Sequence, residues 1–382
     1  MATVTLRGLS KRFGRTRAVE NLDLTVDDGE FFVLLGPSGA GKTTTLGLIA
    51  GLETPDSGEI FLGDDEVTRV NPWKRDVAMA FESYALYPHM SVFDNIAFPL
   101  RAPTRYPRLS EQAIKTEVHR IAKMLQIETL LDRSPSQLSG GQRQRTSLGR
   151  MLVRQPRAFL MDEPIVHLDA KLRHHMRGEL KQLHEQFAIT TLYATPDWVE
   201  AVAMGHRIAV LNRGRIAQIG TPDEIYNQPD NRFVADFVGE PPMNILEGCL
   251  VRQDGSLHFD LGGAAITVND WLGQALDRAD GTEWQIGVRP SGVTLEQTQT
   301  QQSHMPATVF VAEPLGRDTI METRLAGQAV TVKVPGLVPL EPGTPVWLGV
   351  DADQLHAFDK HTGRAVRFVR NDQLATMGSD RP

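Results

Sequence analysis

One stretch constrains this chain more than any other: FFVLL at Phe31–Leu35 runs directly into GPSGAGKT, and TTLGLIAG follows. Five consecutive apolar residues without polar alternation read as a strand buried on both faces, as in a parallel sheet. Gly36–Thr43 satisfies the spacing GxxxxGK[ST]. The strand before it, and the helix expected from Thr43 to Gly51, are the setting that this spacing requires. In such a loop Gly36, Pro37, Ser38, Gly39, Ala40 and Gly41 wrap a phosphate group. The glycines let backbone N–H groups converge on its oxygens without interference from Cβ atoms. Lys42 is placed to reach β- and γ-phosphates, Thr43 to offer a hydroxyl to Mg2+, and Thr44 to line the same helix start.

The residues around this unit extend the frame. Val4 and Leu6, then Leu22, Leu24 and Val26, alternate at period two and predict strands; Gly58–Leu62 and Val77–Phe81 predict two more. Residues 101–110, with Pro103 and Pro107, read as a loop. Ser110 then caps a helix carrying Ile114, Val118, Ile121 and Leu125 on one face. Strand and helix patterns alternate to about Gly220, which predicts an open α/β layer with a mostly parallel sheet. At GEPPM (Gly239–Met243) the texture changes. Short strands at 247–251, 284–288, 308–313, 329–334 and 345–350, with many glycines and few helix patterns, predict a separate all-β domain of small-barrel spacing. An echo between IGVRP (Ile286–Pro290) and LGVDA (Leu348–Ala352) points to a repeated barrel motif.

Asp162 and Glu163 close the apolar run Ala158–Met161. A carboxylate at the carboxyl end of a parallel strand sits where such sheets bind ligands. Asp162 is expected to hold Mg2+ through water, and Glu163 to orient or deprotonate an attacking water. Composition narrows the partners. A net charge of -7 argues against a nucleic-acid binder held by a general basic surface. The single cysteine, Cys249, permits no internal disulfide. No apolar run approaches the ~20 residues of a membrane helix, and the first residues lack the apolar core of a signal peptide. Any membrane role is therefore expected to come through a partner.

LSGGQRQR at Leu138–Arg145 makes a second candidate anion site, with Ser139, Gly140 and Gly141 preceding a helix. With the elements above, it makes the chain resemble the ABC ATPases, and most closely the sugar-importer type that includes maltose and glycerol-3-phosphate ATPases. The resemblance runs nearly end to end. It takes in VAMAFESYALYPHMSVFDNIAF, DEPIVHLDAKLR, PPMNILEG, IGVRPSGVTL, VAEPLGRDTIMETRLAGQAVTVKVP and DQLHAFDKHTG. It implies a P-loop NTPase core with an α-helical subdomain at about 85–155, an ABC ATP-binding domain over 1–238, and a C-terminal OB-like (TOBE-like) regulatory barrel over 239–382. It implies ATP and Mg2+ as cofactors and two chains that sandwich two nucleotides head to tail. Ser139, Gly140, Gly141 and Gln142 would then face the γ-phosphate held by the opposite chain. Phe13 falls where the family sets an aromatic ring against adenine, and Tyr84–Met90 near the groove that receives a membrane subunit. The implied partners are membrane subunits, a second ATPase subunit of the same or a different chain, and indirectly a solute-binding protein. The implied place is the cytoplasmic face of the plasma membrane, peripherally bound.

Two positions depart from that pattern, and a short loop after Glu163 is altered as well. Glu82 stands where the family has a metal-ligating glutamine, Pro196 in YATPDWVEA replaces the switch histidine, and Val166 and His167 precede Leu168 and Asp169. A carboxylate can ligate Mg2+ as an amide oxygen does. Proline has neither an imidazole nor a backbone N–H, and a positioned acid/base group contributes ~10²–10⁴ in rate. The leading expectation is an importer ATPase that couples ATP hydrolysis to uptake of a sugar, polyol or glycerol derivative. The alternative is a partly degenerate, weakly hydrolysing subunit paired with a second, complete one. A soluble ABC protein of another class fits less well, because only one ATPase module is present.

Overall fold

Residues 2–81, 84–102, 108–154, 156–166, 169–253, 255–279, 281 and 283–367 are described by a computed structural model. They fall into two units that divide between Asp223 and Glu224. The strands of the first unit are Val4–Phe13 (β1), Thr16–Val26 (β2), Phe31–Leu35 (β3), Ser57–Leu62 (β4), Asp65–Glu66 (β5), Val77–Ala80 (β6), Ala158–Asp162 (β7), Thr190–Thr195 (β8), Arg207–Asn212 (β9) and Arg215–Gly220 (β10). Its helices are Lys42–Ala50 (α1), Val92–Ala97 (α2), Glu111–Met124 (α3), Gly140–Leu152 (α4), Ala170–Phe187 (α5) and Trp198–Met204 (α6).

Two sheets result. One is an antiparallel layer in the order β2-β1-β4-β5; the other is a six-stranded layer in the order β10-β9-β3-β8-β7-β6. Every residue of β3, β7 and β8 is buried, which is why FFVLL shows no alternation. Within the second layer β3 runs parallel to β8 and β9, and β7 parallel to β6 and β8. The register sets Leu35 beside Thr195 and Asp162 beside Ala194, so three strands end at one edge. The expected helix of the helical subdomain is α3. Ser110 accepts from Ala113 N at 3.2 Å, and Ile114, Val118 and Ile121 are buried. Arg101 ends a 3-10 turn, Phe98–Arg101, while Pro103 and Pro107 lie outside the described residues.

The second unit opens with two short helices, Pro222–Asn227 (α7, which straddles the division) and Arg232–Phe237 (α8). Its strands are Asn244–Glu247 (β11), Cys249–Gln253 (β12), Ser256–Asp260 (β13), Ala265–Val268 (β14), Trp284–Val288 (β15), Val293–Glu296 (β16), Met305–Pro314 (β17), Asp318–Leu325 (β18), Gln328–Pro335 (β19), Pro345–Val350 (β20) and Leu355–Asp359 (β21). The sheet β16-β20-β17-β18-β19 curls until its edge strands β16 and β19 meet, giving a nearly closed OB-like barrel. Val309, Val330, Val332 and Leu348 fill its core.

One feature departs from the sequence reading. Helix Asp270–Arg278 (α9) was not expected among the strands; Asn269 caps it by accepting from Leu272 N, and Leu272 and Leu276 bury one face. The compact units divide ahead of the change in texture at Gly239, because the residues just before it pack into the second unit. Ala235 packs with Met243 and Phe358. The buried Arg289 guanidinium donates to the carbonyls of Ala235, Val238 and Tyr226. Desolvation lowers that guanidinium to about 10. The IGVRP and LGVDA echo is local: each ends a strand (β15, β20) and leads into a 3-10 turn, yet the two strands lie in different sheets.

Candidate nucleotide site

The phosphate loop leaves β3 at Gly36, whose N–H donates to Thr195 O at 3.3 Å. A Cβ on Gly36 would lie 2.6 Å from Leu211 O, and one on Gly41, at φ +105°, would lie 2.4 Å from Ala18 O. Both contacts are with backbone, so these glycines are required by close approach rather than by flexibility alone. Helix α1 starts at Lys42 with no side-chain cap on its first N–H groups. A nine-residue helix with an uncapped start presents those donors and its positive dipole end toward the loop. Ser38, Gly39 and Thr43 are exposed, and Pro37 and Thr44 are half-buried.

Lys42 is buried, and its ammonium donates to Gly36 O at 2.9 Å and to Pro37 O at 3.1 Å. It also pairs with Glu163 Oε1 at 3.2 Å. Two groups expected to have separate tasks are therefore in contact. Glu163 leaves β7 in the left-handed region at φ +47°, with its N–H donating to Ala194 O at 3.0 Å. A non-glycine residue there is strained by ~1–3 kcal/mol and persists only where the surroundings hold it. Thr43 Oγ1 donates to Asp162 Oδ1 at 3.1 Å. These hard oxygen donors, side by side, fit Mg2+, which binds through one or two protein oxygens together with phosphate and water. Among the described residues no group of three His, Cys, Asp or Glu side chains forms a metal cage. Glu82, the third expected ligand, lies outside the described residues, as do His167 and Leu168.

The switch segment follows β8. Pro196 is half-buried, and Asp197 caps α6 by accepting from Val199 N and Glu200 N. Beneath it, Tyr193 OH and Thr195 Oγ1 both donate to Glu200 Oε2, at 3.0 and 2.7 Å. Burial raises the Glu200 carboxyl above its usual range, and the bonds from Thr195 and Tyr193 pull it back. Sequence reading missed this buried carboxylate because its partners are set by the packing of α6 on β8.

The signature turn is of another kind. Ser139 is exposed and caps α4 in a reciprocal box: its hydroxyl accepts from Gln142 N at 3.4 Å, and Gln142 Oε1 accepts from Ser139 N at 3.0 Å. Gly140 and Gly141 form the first turn. Among the described residues no hydrogen bond or ion pair joins this turn to the phosphate loop. Phe13, at the end of β1, is 46% exposed, with the Lys11 ammonium 5.1 Å from its ring centroid.

A separate cleft of about 810 Å3 is lined by Trp73, Phe81, Tyr87, Phe98, Arg150 and Arg154 among others. Tyr84 and Ala85 both have positive φ. Arg150 donates to both their carbonyls, and Ser147 Oγ to that of Tyr84. Asn95 donates to the Tyr87, Met90 and Ser91 carbonyls and accepts from Tyr87 N. These anchors were not legible in sequence, since those of Arg150 and Ser147 join a polar side chain to the backbone of a distant segment.

Residues 19–166 match the family described as ABC transporter, and residues 286–358 the family described as TOBE domain. The chain is similar to a trehalose/maltose import ATP-binding protein of Thermococcus litoralis, at 45% identity over 96% of this chain and 100% of that protein. It is similar to a sulfoquinovosyl glycerol transport ATP-binding protein of Agrobacterium fabrum, at 43% over 96% and 100%. An sn-glycerol-3-phosphate import ATP-binding protein of Burkholderia ambifaria matches at 41% over 95% and 99%. Among solved structures, a dimeric ATP-binding cassette in a post-hydrolysis state, bound to ADP and Pi, aligns with a TM-score of 0.53 at 29% identity, over 57% of this chain and 98% of that one.

Proposed function

The chain belongs to the ABC transporter family of ATP-binding subunits, and from that premise we propose how its residues bind ATP and couple its hydrolysis to solute import. The observation that carries the reading is the convergence, at the carboxyl ends of β3, β7 and β8, of Lys42 with Glu163 and of Thr43 with Asp162. Gly36–Thr44 hold the phosphates, and Phe13 packs on the adenine ring. The Lys42 ammonium leaves Glu163 for the β- and γ-phosphates, so nucleotide entry frees the carboxylate to orient and deprotonate water. Thr43 and Asp162 would hold Mg2+, and Glu82 is the further ligand expected from the sequence. Mg2+ supplies charge neutralisation on the phosphates when bound.

Ser139, Gly140, Gly141 and Gln142 complete the site of a second ATPase subunit across a head-to-tail dimer. The cleft beside Tyr87 receives a segment of a membrane subunit; its exposed aromatics and arginines suit such a contact. Among the described residues no helix is long and apolar enough to cross a membrane, and the subunit sits peripherally at the cytoplasmic face. The solute is a sugar, polyol or glycerol derivative, as the names of the relatives indicate, delivered by a solute-binding protein. The functional domains are 1–238 and 239–382; limited proteolysis that cuts near Gly239 supports that division, and cutting near Asp223 instead contradicts it. No observation favours the reading as a degenerate subunit.

The test is MgATP binding and hydrolysis by the purified chain and by its Lys42→Ala and Glu163→Gln variants. Lys42→Ala should weaken binding by ~10- to 100-fold. Glu163→Gln should bind and not turn over. Unchanged affinity in the first, or retained turnover in the second, would overturn these roles.

A further inference from the structure

The carboxyl end of β8 serves both halves of the hydrolytic site through its backbone. Thr195 O accepts from Gly36 N, the first residue of the phosphate loop, and Ala194 O accepts from Glu163 N. Whatever fixes these two carbonyls fixes the phosphate loop relative to the carboxylate that faces water. Their own fixing comes from the side-chain layer beneath. Thr195 Oγ1 donates to Glu200 and accepts from Asp197 N at 3.0 Å, so one hydroxyl ties the turn over Pro196 to the buried carboxylate. Tyr193, fully buried two residues earlier, donates to the same oxygen of Glu200. On the far side of the turn, Asp197 lies 3.6 Å from Arg173, whose guanidinium donates to Val166 O in the segment that follows Glu163. A buried carboxylate is costly unless its hydrogen bonds are made. Here both bonds come from the strand that carries the two catalytic carbonyls.

We propose that Glu200 is a positioning residue of the hydrolytic site: by holding Tyr193 and Thr195 it fixes the strand end that sets Glu163 against the phosphate loop. It does this work at the turn where Pro196 offers no imidazole and no N–H. The inference rests on the hydrolytic reading above. It extends that reading to a buried residue behind the strand end.

The experiment is single-turnover ATP hydrolysis with nucleotide binding measured separately, on the full chain and on Glu200→Ala, Glu200→Gln and Thr195→Val. Misplacing a catalytic group by about 1 Å can cost ~10²-fold. Glu200→Ala should therefore lower the hydrolysis rate by ~10- to 100-fold while leaving ATP affinity within about threefold. The amide of Glu200→Gln still accepts both bonds and should recover most of the rate. Thr195→Val should reproduce the loss. If Glu200→Ala does not fold, Tyr193→Phe removes one of the same bonds and should give a smaller loss of the same kind. Rates unchanged in these variants alongside a lower melting temperature would overturn the proposal, as would a glutamine variant as slow as the alanine one. A parent chain that binds ATP and never hydrolyses it would overturn both this proposal and the hydrolytic reading, whereas an active parent with unaffected variants overturns this proposal alone.

Discussion

Two helices in the first unit begin with glycine-rich turns, and they begin differently. Helix α1 has Gly41 at its N-cap with no side-chain cap, and starts at a buried Lys42 whose ammonium is held by two loop carbonyls and Glu163. Helix α4 starts at Ser139 with a reciprocal capping box and an exposed turn. The first start is braced by strands β3, β7 and β8 around it, and its free donors point at the phosphate loop. The second is satisfied by its own residues and faces outward. A braced, uncapped start suits a ligand held by this chain. A self-sufficient, exposed one suits a surface offered to a second chain.

The largest expected effect falls on the braced start. Lys42→Ala removes a charged hydrogen-bond donor and should weaken MgATP binding by ~10- to 100-fold, since such bonds are worth about 1.5–3 kcal/mol; titration with a fluorescent ATP analogue reads it. The same comparison predicts unequal stability costs. Gly41→Ala drives a Cβ against the Ala18 carbonyl at a φ of +105° and should cost ~1–3 kcal/mol by overpacking. Ser139→Ala removes only a cap and should cost about 1 kcal/mol. Thermal unfolding of the two variants orders them, and a larger loss at Ser139 would reverse the comparison.

The smallest effect lies at the opposite, amino ends of β3 and β8, where the His184 ring meets Phe31 and Thr191. Burial, and then the neighbouring His206, hold the His184 imidazole below its usual value. The unfolded chain takes up that proton at about pH 6.5. Stability should therefore fall as pH drops below about 6.5 and level off only below the folded value. His184→Gln should flatten the dependence of melting temperature between about pH 7.5 and 5.5.

The braced start was legible in the sequence because its causes are local: an unbroken apolar strand, glycines at fixed spacing, and a lysine and threonine at the helix start. The contact of Lys42 with Glu163 was not, because it depends on β7 lying two strands from β3 in the same sheet. Glu200 was hidden because its partners are set by the packing of α6 on β8. Within the second unit, repeated short strands announced the barrel, but α9 did not announce itself. Its sequence, DWLGQALDR, carries a central glycine and only two turns of periodicity, and Asn269 as its cap could equally have opened a turn. The compact units divide upstream of the Pro-rich junction because Arg289 binds backbone carbonyls there.

The central claim is that the braced site belongs to one chain and the exposed signature turn acts on another. Sedimentation of a Glu163→Gln chain with and without MgATP, repeated after adding Ser139→Arg, tests it most directly. The account predicts an ATP-dependent dimer for Glu163→Gln alone, and a monomer that still binds ATP with unchanged affinity once Ser139 is also changed. A double variant that still dimerises with ATP, or one whose monomer loses ATP binding, would contradict it.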